Sequence, residues 1–249
     1  MHGRRALVTG VSRRQGIGYA IARRLIEAGA QVVVHGWTPH DAAQEWGADD
    51  LSVAEVAASL GAAGHVEADF SDADAPQRVV AVAAQTLGGL DILVLNHARS
   101  GDGTLHELTA ETIDPFLHEN VRASLLLVKE FAAQFEGDAG RVVLLTSGQE
   151  LGPMRGEVAY AVSKGALAAA LPTLADELAD QGITVNAVNP GPTDTGWGLA
   201  EFDPGKRMPF GRWGEPDDAA RLIAWLCSDD AKWITGQLIN SEGGFRRFG

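Results

Sequence analysis

The chain has 249 residues, 45% of them hydrophobic and 21% charged, so it can build a full core and is not globally disordered. Its formal net charge of −13 makes nucleic acid a poor partner, because an acidic surface repels phosphate backbones. The single cysteine, Cys227, excludes an intrachain disulfide, and the seven histidines show no metal-ligand spacing. No stretch has the pattern of a signal peptide or of a membrane span, so we expect a cytoplasmic protein that does not contact membranes.

Short apolar and β-branched runs alternate with longer alanine- and leucine-rich stretches along the whole chain. The runs predict seven strands, at Ala6–Thr9, Gln31–His35, His65–Ala68, Asp91–Asn96, Arg141–Thr146, Thr184–Val188 and Gln237–Asn240. Several are apolar on both faces, as parallel strands covered by helices on both sides are. The sequence therefore predicts an α/β fold in which residues 1–249 form a single-domain doubly wound Rossmann fold, with a parallel seven-stranded sheet flanked by helices on both faces.

Two long connections interrupt the alternation, at Gly36–Asp50 and at Gly191–Gly214. Both follow the carboxyl end of a predicted strand, which is the edge where open α/β sheets bind their ligands. Long loops in compact domains tend to be functional. We expect residues 191–214 to form a loop or lid on the substrate side.

The first predicted strand runs into a glycine-rich turn, TGVSRRQGIG, and a helix follows at once. Glycines allow a tight turn and close approach to a pyrophosphate, which the helix N-terminus attracts. The turn residues expected to contact the cofactor are Gly10, Ser12, Arg13, Arg14, Gly16, Ile17 and Gly18. The second predicted strand ends in His-Gly-Trp-Thr, without the acidic residue that binds the ribose of NAD. Because Arg13 and Arg14 could pair with a 2′-phosphate, we expect NADP(H) over NAD(H); otherwise both are solvated surface residues.

Tyr160 and Lys164 begin an alanine-rich helical run and, at i and i+4, share one helix face. A tyrosine pKa of about 10 must fall by roughly 3 units to reach 7, and a lysine charge about 4 Å away supplies much of that energy. Such a tyrosine can exchange a proton with a carbonyl or alcohol oxygen. Ser147 lies thirteen residues before Tyr160, and Asn120 lies twenty-seven before Ser147.

These motifs, with ADF at 68–70, NHA at 96–98, NPGPTDT at 189–195 and the tail ITGQLINSEGG, resemble the short-chain dehydrogenase/reductase family over essentially the whole chain. The closest pattern is that of the 3-oxoacyl-[acyl-carrier-protein] reductase branch. The resemblance implies that Ser147 binds the substrate oxygen and that Tyr160 is the general acid/base. It also implies that Lys164 holds the ribose and lowers the tyrosine pKa, and that Asn120 keeps a relay water. Further cofactor contacts implied are Asp69, Phe70, Asn96, Pro190, Gly191, Thr193 and Thr195.

The chain departs from the family pattern in two places. The glycine turn is two residues longer than the common TGxxxGxG, and the usual Asn-Asn-Ala-Gly is Asn-His-Ala-Arg at 96–99. The roles of His97 and Arg99 stay open, with a structural histidine as plausible as a ligand contact. Asp69, without the resemblance, is equally a helix cap.

The sequence favours an NADP(H)-dependent oxidoreductase that reduces a carbonyl, with a 3-oxoacyl thioester as the leading substrate. An alcohol, polyol or sugar dehydrogenase working oxidatively is the alternative, and a non-catalytic NADP(H) sensor is the alternative from another class. Enoyl reduction is disfavoured, since such relatives space the tyrosine and lysine more widely. Five apolar residues are expected either to line an apolar substrate pocket or to pack the lid and subunit contacts. They are Met154, Trp197, Phe202, Met208 and Phe210. The resemblance also implies a homotetramer.

Overall fold

One seven-stranded sheet organises the fold in this computed structural model, which describes residues 1–196 and 203–248. Its strands are β1 (Arg5–Val8), β2 (Gln31–Gly36), β3 (Gly64–Glu67), β4 (Ile92–Leu95), β5 (Gly140–Leu145), β6 (Ile183–Asn189) and β7 (Leu238–Asn240). All pairs are parallel, in the order β3-β2-β1-β4-β5-β6-β7. The predicted doubly wound sheet is thus confirmed. The first and last residues predicted for each strand agree with the structure to within one residue. That residues 1–249 form one domain stays a prediction.

Helices fill the connections between the strands. They are α1 (Ile17–Glu27), α2 (Thr38–Ala42), α3 (Val53–Leu60), α4 (Ala75–Leu87), α5 (Ala110–Phe116), α6 (Ala123–Gln134), α7 (Val158–Ala179) and α8 (Pro216–Leu226). A π-helical turn, Leu117–Arg122, joins α5 to α6. Single 3₁₀ turns lie at Leu105–Glu107 and Asp229–Ala231.

Two apolar layers cover the two faces of the sheet. Leu7 of β1 faces the layer that α4, α6 and α7 supply, while its neighbour Val8 faces the layer supplied by α1, α3 and α8. Alternate residues of a strand point to opposite faces, so a strand buried on both sides must be apolar throughout. This is why LVL at 93–95 and VVLL at 142–145 do not alternate in polarity.

Helix α7 is long and apolar enough, by length and composition, to cross a membrane, and no other helix in the described ranges passes that test. Its buried side chains, among them Leu167 and Leu171, belong to the layer against the sheet. One face of the helix therefore packs on the sheet, and the helix carries two of the predicted site residues, Tyr160 and Lys164.

The strand order reverses between β1 and β4, which lie side by side although β2 and β3 separate them in sequence. At such a switch point the connections leave in opposite directions and open a crevice at the carboxyl ends of the strands. The glycine turn after β1, Asn96 after β4, Ser147 after β5 and Pro190 after β6 all border that edge.

Candidate active site

A cavity of about 640 Å³ lies at this edge, a size typical of cofactor and small-molecule sites. Most of the predicted cofactor and substrate residues line it. They are Gly10, Ser12, Arg13, Ile17, Asp69, Phe70, Asn96, Ser147, Tyr160, Pro190, Gly191, Thr193 and Thr195. Arg14, Gly16, Gly18, Asn120 and Lys164 are not in its lining. The structure thus brings the distant sequence motifs to one site.

The glycine turn is held closed by backbone contacts that only glycine permits. Gly10 has φ +71°, and a Cβ on Gly18 would clash with the carbonyl oxygen of Gly10. The amide of Asn96 donates to the carbonyl oxygens of Thr9 (3.1 Å) and Gly10 (2.8 Å), so it braces the turn from β4. Helix α1 begins without a side-chain cap at Gly16. Its first N–H groups are therefore open to an anion.

The two arginines of the turn have different surroundings. Arg14 forms an ion pair with Asp49 (2.7 Å), whose carboxylate also accepts from the Arg14 backbone N–H. This pairing holds the pKa of Asp49 far below its usual range. Arg14 therefore fits the alternative of a surface residue, because the long loop after β2 supplies a carboxylate for it outside the cavity. Arg13 does line the cavity.

Arg13 is fixed in place by groups from two other loops. Its guanidinium donates to the carbonyl oxygen of Thr195 (2.9 Å) and lies 6.0 Å from the ring centroid of Trp46. The Trp46 indole N–H donates to Asp41 (3.1 Å), and the same carboxylate accepts from the hydroxyl of Ser12. The loop after β2 thus orients one cation at the end of the cavity.

Where relatives that use NAD carry an acid, this chain has His35, which burial keeps neutral by lowering its pKa to about 4. Its ring stacks on Phe70 (4.2 Å between centroids), and Phe70 in turn contacts His97 (4.4 Å). Asp69 lines the cavity, and α4 begins only at Ala75, so Asp69 is not the cap of that helix. No group of three or more metal-binding side chains occurs within residues 1–196 and 203–248.

The His97 ring connects the end of β1 to the π-helical turn through hydrogen bonds. Its Nδ1 lies 2.8 Å from the hydroxyl of Thr9 and its Nε2 lies 3.1 Å from the carbonyl oxygen of Glu119. Burial first, and then the nearby charges, hold the His97 pKa well below 6.5. Because a carbonyl only accepts, the neutral ring carries its proton on Nε2.

Asn120 is fully buried in the π-helical turn, a feature frequent at functional sites. Its side chain accepts from the backbone N–H of Arg99 (2.7 Å) and donates to the Arg99 carbonyl (2.9 Å) and to Ser163 (2.8 Å). The Arg99 side chain pairs with Glu119 at 2.7 Å. Arg99 therefore anchors Asn120 through its backbone.

Ser147 and Tyr160 meet at the cavity wall. The Ser147 hydroxyl hydrogen-bonds the phenol and lies 3.9 Å from the sulfur of Met154. Burial raises the Tyr160 pKa to about 12, Glu157 adds to the rise, and the bond with Ser147 opposes it. Desolvation dominates this shift, and the lowering of the Tyr160 pKa by the lysine charge that the resemblance implies stays a prediction. The phenol is protonated at neutral pH.

Lys164 lies one helical turn beyond Tyr160, with its Nζ 5.9 Å from the tyrosine ring centroid. Its ammonium donates to the carbonyl oxygen of Leu145 (2.9 Å), and burial lowers its pKa to about 8. No carboxylate pairs with it in the part of the chain that the structure describes. It is thus a buried cation directly behind the phenol.

The wall beyond Ser147 and Tyr160 is more charged than the sequence predicts. Met154 lines the cavity as expected, but Met208 is buried outside it and Phe210 is 78% exposed. Of the two alternatives for these residues, packing of the loop fits Met208 and Phe210, because both side chains lie next to Gly243. Trp197 and Phe202 lie outside the described residues. The lining instead includes Arg155, Glu157, Arg207, Glu242 and Arg247, which sequence reasoning missed.

Comparisons with known proteins agree with this arrangement. A family model described as "Enoyl-(Acyl carrier protein) reductase" matches residues 10–246. "Uncharacterized oxidoreductase YjdA" of Bacillus subtilis is 42% identical over 97% of this chain and 96% of that protein. A short chain dehydrogenase from Burkholderia cenocepacia, solved in complex with NADP, is 36% identical with a TM-score of 0.85, covering 98% of each chain. BdcA, solved in complex with NADPH, is 32% identical with a TM-score of 0.84, covering 98% of this chain and 95% of that one.

The shared sheet order, the matches over nearly the full length and the identities above 30% define the class of this protein. The chain belongs to the short-chain dehydrogenase/reductase family. It is an oxidoreductase of that family.

Proposed function

We propose that this protein reduces a carbonyl to an alcohol with NADPH. The observation that carries the proposal is the position of the Tyr160 phenol, which lines the cavity together with Ser147. Carbonyl reduction needs a proton donor at the carbonyl oxygen, and a phenol whose pKa is about 12 holds that proton at neutral pH. Alcohol oxidation is the reverse of the same step and needs the deprotonated phenol.

The cavity residues fit NADP(H). The glycine turn and the open N-terminus of α1 suit a pyrophosphate, and Arg13 is a fixed cation with no carboxylate partner in residues 1–196 and 203–248. Two similar structures were solved with NADP or NADPH, which supports the same choice here. When bound, the nicotinamide supplies the hydride.

Side chains of the protein carry out the remaining steps of the reaction. The Ser147 hydroxyl holds the substrate oxygen, and Tyr160 donates its proton to that oxygen as the alcohol forms. The Lys164 ammonium lies behind the phenol and stabilises the phenolate left by proton transfer. Asn120 keeps the π-helical turn closed through the Arg99 backbone and, by resemblance, holds a water that returns the proton.

Within carbonyl reduction, a 3-oxoacyl thioester is our leading substrate class, supported by the resemblance of the tail to that branch. Although the matching family model is described as an enoyl reductase, Tyr160 and Lys164 are four residues apart, which we take to disfavour enoyl reduction. An oxidative alcohol, polyol or sugar dehydrogenase and a non-catalytic NADP(H) sensor are the competing functions. We further propose a cytoplasmic homotetramer, on resemblance alone.

The choice of cofactor predicts different results for the two neighbouring arginines. Arg13→Gln removes the cation that faces the cavity and should weaken NADPH binding about tenfold or more with little change for NADH. Arg14→Gln is the matched control, because that side chain is exposed and paired with Asp49. Fluorescence titration of each variant with NADPH and with NADH measures the dissociation constants, and their ratio gives the change in cofactor preference. Equal losses for NADPH in the two variants would rule out the assignment of Arg13.

The proposed activity is tested by mixing the protein with NADPH and a panel of 3-oxoacyl thioesters, ketones and quinones, and following NADPH absorbance. The reverse assay uses NADP⁺ with alcohols and polyols. We expect faster reduction than oxidation near neutral pH. Faster oxidation would favour the dehydrogenase, and tight cofactor binding without turnover in either direction would favour the sensor.

A further inference from the structure

The substrate end of the cavity, beyond Ser147 and Tyr160, is lined by the arginines 155, 207 and 247 and by the carboxylates of Glu157 and Glu242. Three guanidinium groups at one end of one cavity stand out in a chain whose net charge is −13. Burial and the neighbouring Asp102 raise the Glu157 pKa. Glu242 is paired with Arg247, so Glu157 is the carboxylate of this group that remains to oppose Arg155 and Arg207.

Arg247 and Glu242 form a pair that is built into the site. Nη1 of Arg247 lies 2.6 Å from Oε2 of Glu242, Nη2 contacts Oε1, and the side chains are only 15% and 7% exposed. The Asn189 amide at the end of β6 also donates to Glu242 (2.7 Å). A Cβ on Gly148 would clash with the Arg247 guanidinium, so the tail arginine packs directly against the residue after Ser147. The opposite charges of Arg247 and Glu242 therefore compensate each other within the wall of the cavity.

Arg207 is joined to this tail through its backbone. The Arg246 N–H donates to the Arg207 carbonyl at 2.9 Å, which places Arg207 beside the segment that carries Arg247. Arg155 comes from a separate segment, the loop that follows Ser147 and also supplies Met154. Across the described ranges, neither the Arg155 nor the Arg207 guanidinium has an ion pair or hydrogen bond to another side chain.

Two guanidinium groups that have no ion pair and line one cavity from separate segments of the chain suit an anionic ligand, because their planar N–H donors match carboxylate and phosphate oxygens. We propose that the substrate carries a carboxylate or phosphate group, and that Arg155 and Arg207 bind it while Arg247, paired with Glu242, packs against Gly148 beside Ser147. This inference rests on the proposed reductase function. Pro153, Met154 and Phe245 give the same end an apolar surface for the carbon chain.

Two matched substrate pairs separate the possible sources of the anion. Acetoacetate against methyl acetoacetate tests a carboxylate, and a 3-oxobutanoyl thioester of 4′-phosphopantetheine against that of pantetheine tests a phosphate. In at least one pair we expect the anionic member to have a kcat/KM about tenfold higher, mainly through KM. Arg155→Gln and Arg207→Gln should each remove most of that advantage while leaving the neutral member unchanged.

Controls come from adjacent cations outside the cavity. Lys206→Gln and Arg246→Gln make the same change of charge next to Arg207 and Arg247, and neither residue lines the cavity. Both should retain the preference for the anionic substrate, which separates direct contact from a general effect of charge. If these controls lose as much as the arginine variants, or if no preference exists in the wild type, the inference is wrong.

A binding measurement keeps this inference distinct from the proposed function. Calorimetric titration of the protein–NADP⁺ complex with the same four compounds measures affinity without hydride transfer. Tighter binding of an anionic member that depends on Arg155 and Arg207, without turnover, would uphold the anion site and defeat the reductase function. Turnover of neutral and anionic members that bind with equal affinity would uphold the reductase function and rule out the anion site.

Discussion

Tyr160→Phe should lower kcat for NADPH-dependent carbonyl reduction by about a thousandfold, because it removes the proton that the carbonyl oxygen must receive. The ring is retained, so packing at the cavity wall is preserved and the NADPH Kd should stay within about twofold. Steady-state kinetics together with fluorescence titration of NADPH measure the two effects separately.

The chain supplies a close control for this substitution. Its other tyrosine, Tyr19, lies on α1 with its hydroxyl 3.3 Å from Ser59, and it does not line the cavity. Tyr19→Phe should retain wild-type kcat. If Tyr160→Phe keeps more than about a tenth of wild-type activity, the phenol is not the proton donor.

Lys164→Met should abolish most of the activity and yet make the protein more stable, by about 1 to 2 kcal/mol near neutral pH. Burial lowers the Lys164 pKa from 10.5 to about 8, so the folded state bears the cost of desolvating the ammonium. The lost hydrogen bond to the Leu145 carbonyl offsets part of the gain. Urea denaturation with parallel activity assays measures both quantities.

The pH dependence gives this prediction a second test. A lysine with a depressed pKa binds fewer protons when folded than when unfolded, so its destabilising effect is complete below pH 8 and diminishes as pH rises toward 10.5. The stability difference between the variant and the wild type should therefore shrink across that window. A variant that is less stable than the wild type at neutral pH would show that the ammonium is not a net cost to folding.

The sequence was informative about the sheet and the catalytic groups for a physical reason. Short apolar and β-branched runs located all seven strands to within one residue, and in the buried central strands these runs are apolar on both faces because helices cover both sides. Ser147 and Tyr160 lie next to β5 and at the start of α7, so predicting those elements correctly also brought the two side chains together.

Side-chain pairing across distant loops could not be predicted in the same way. Arg14 is paired with Asp49, and nothing in the local pattern of the glycine turn distinguishes it from Arg13. Likewise the tail after β7 returns Arg247 to Gly148, about a hundred positions earlier, and only the fold reveals that contact. The charged substrate wall was missed because its arginines come from three separate segments.

His97 illustrates a second limit. Its replacement of the usual asparagine was visible, but the sequence left a ligand contact and a structural role equally open. The ring nitrogens contact Thr9 and Glu119, so the side chain joins β1 to the turn that holds Asn120. A role defined by two partners in distant segments becomes clear only when the three elements are seen together.

The most direct measurement is the transfer of deuterium from NADPH that carries deuterium at both C4 positions of the nicotinamide, with carbonyl compounds of the panel and mass spectrometry of the product. We expect an alcohol that carries one deuterium on the former carbonyl carbon, formed by the wild type and by Tyr19→Phe but not by Tyr160→Phe. Doubly labelled NADPH that binds tightly without transferring deuterium to any carbonyl carbon would contradict the proposed reduction.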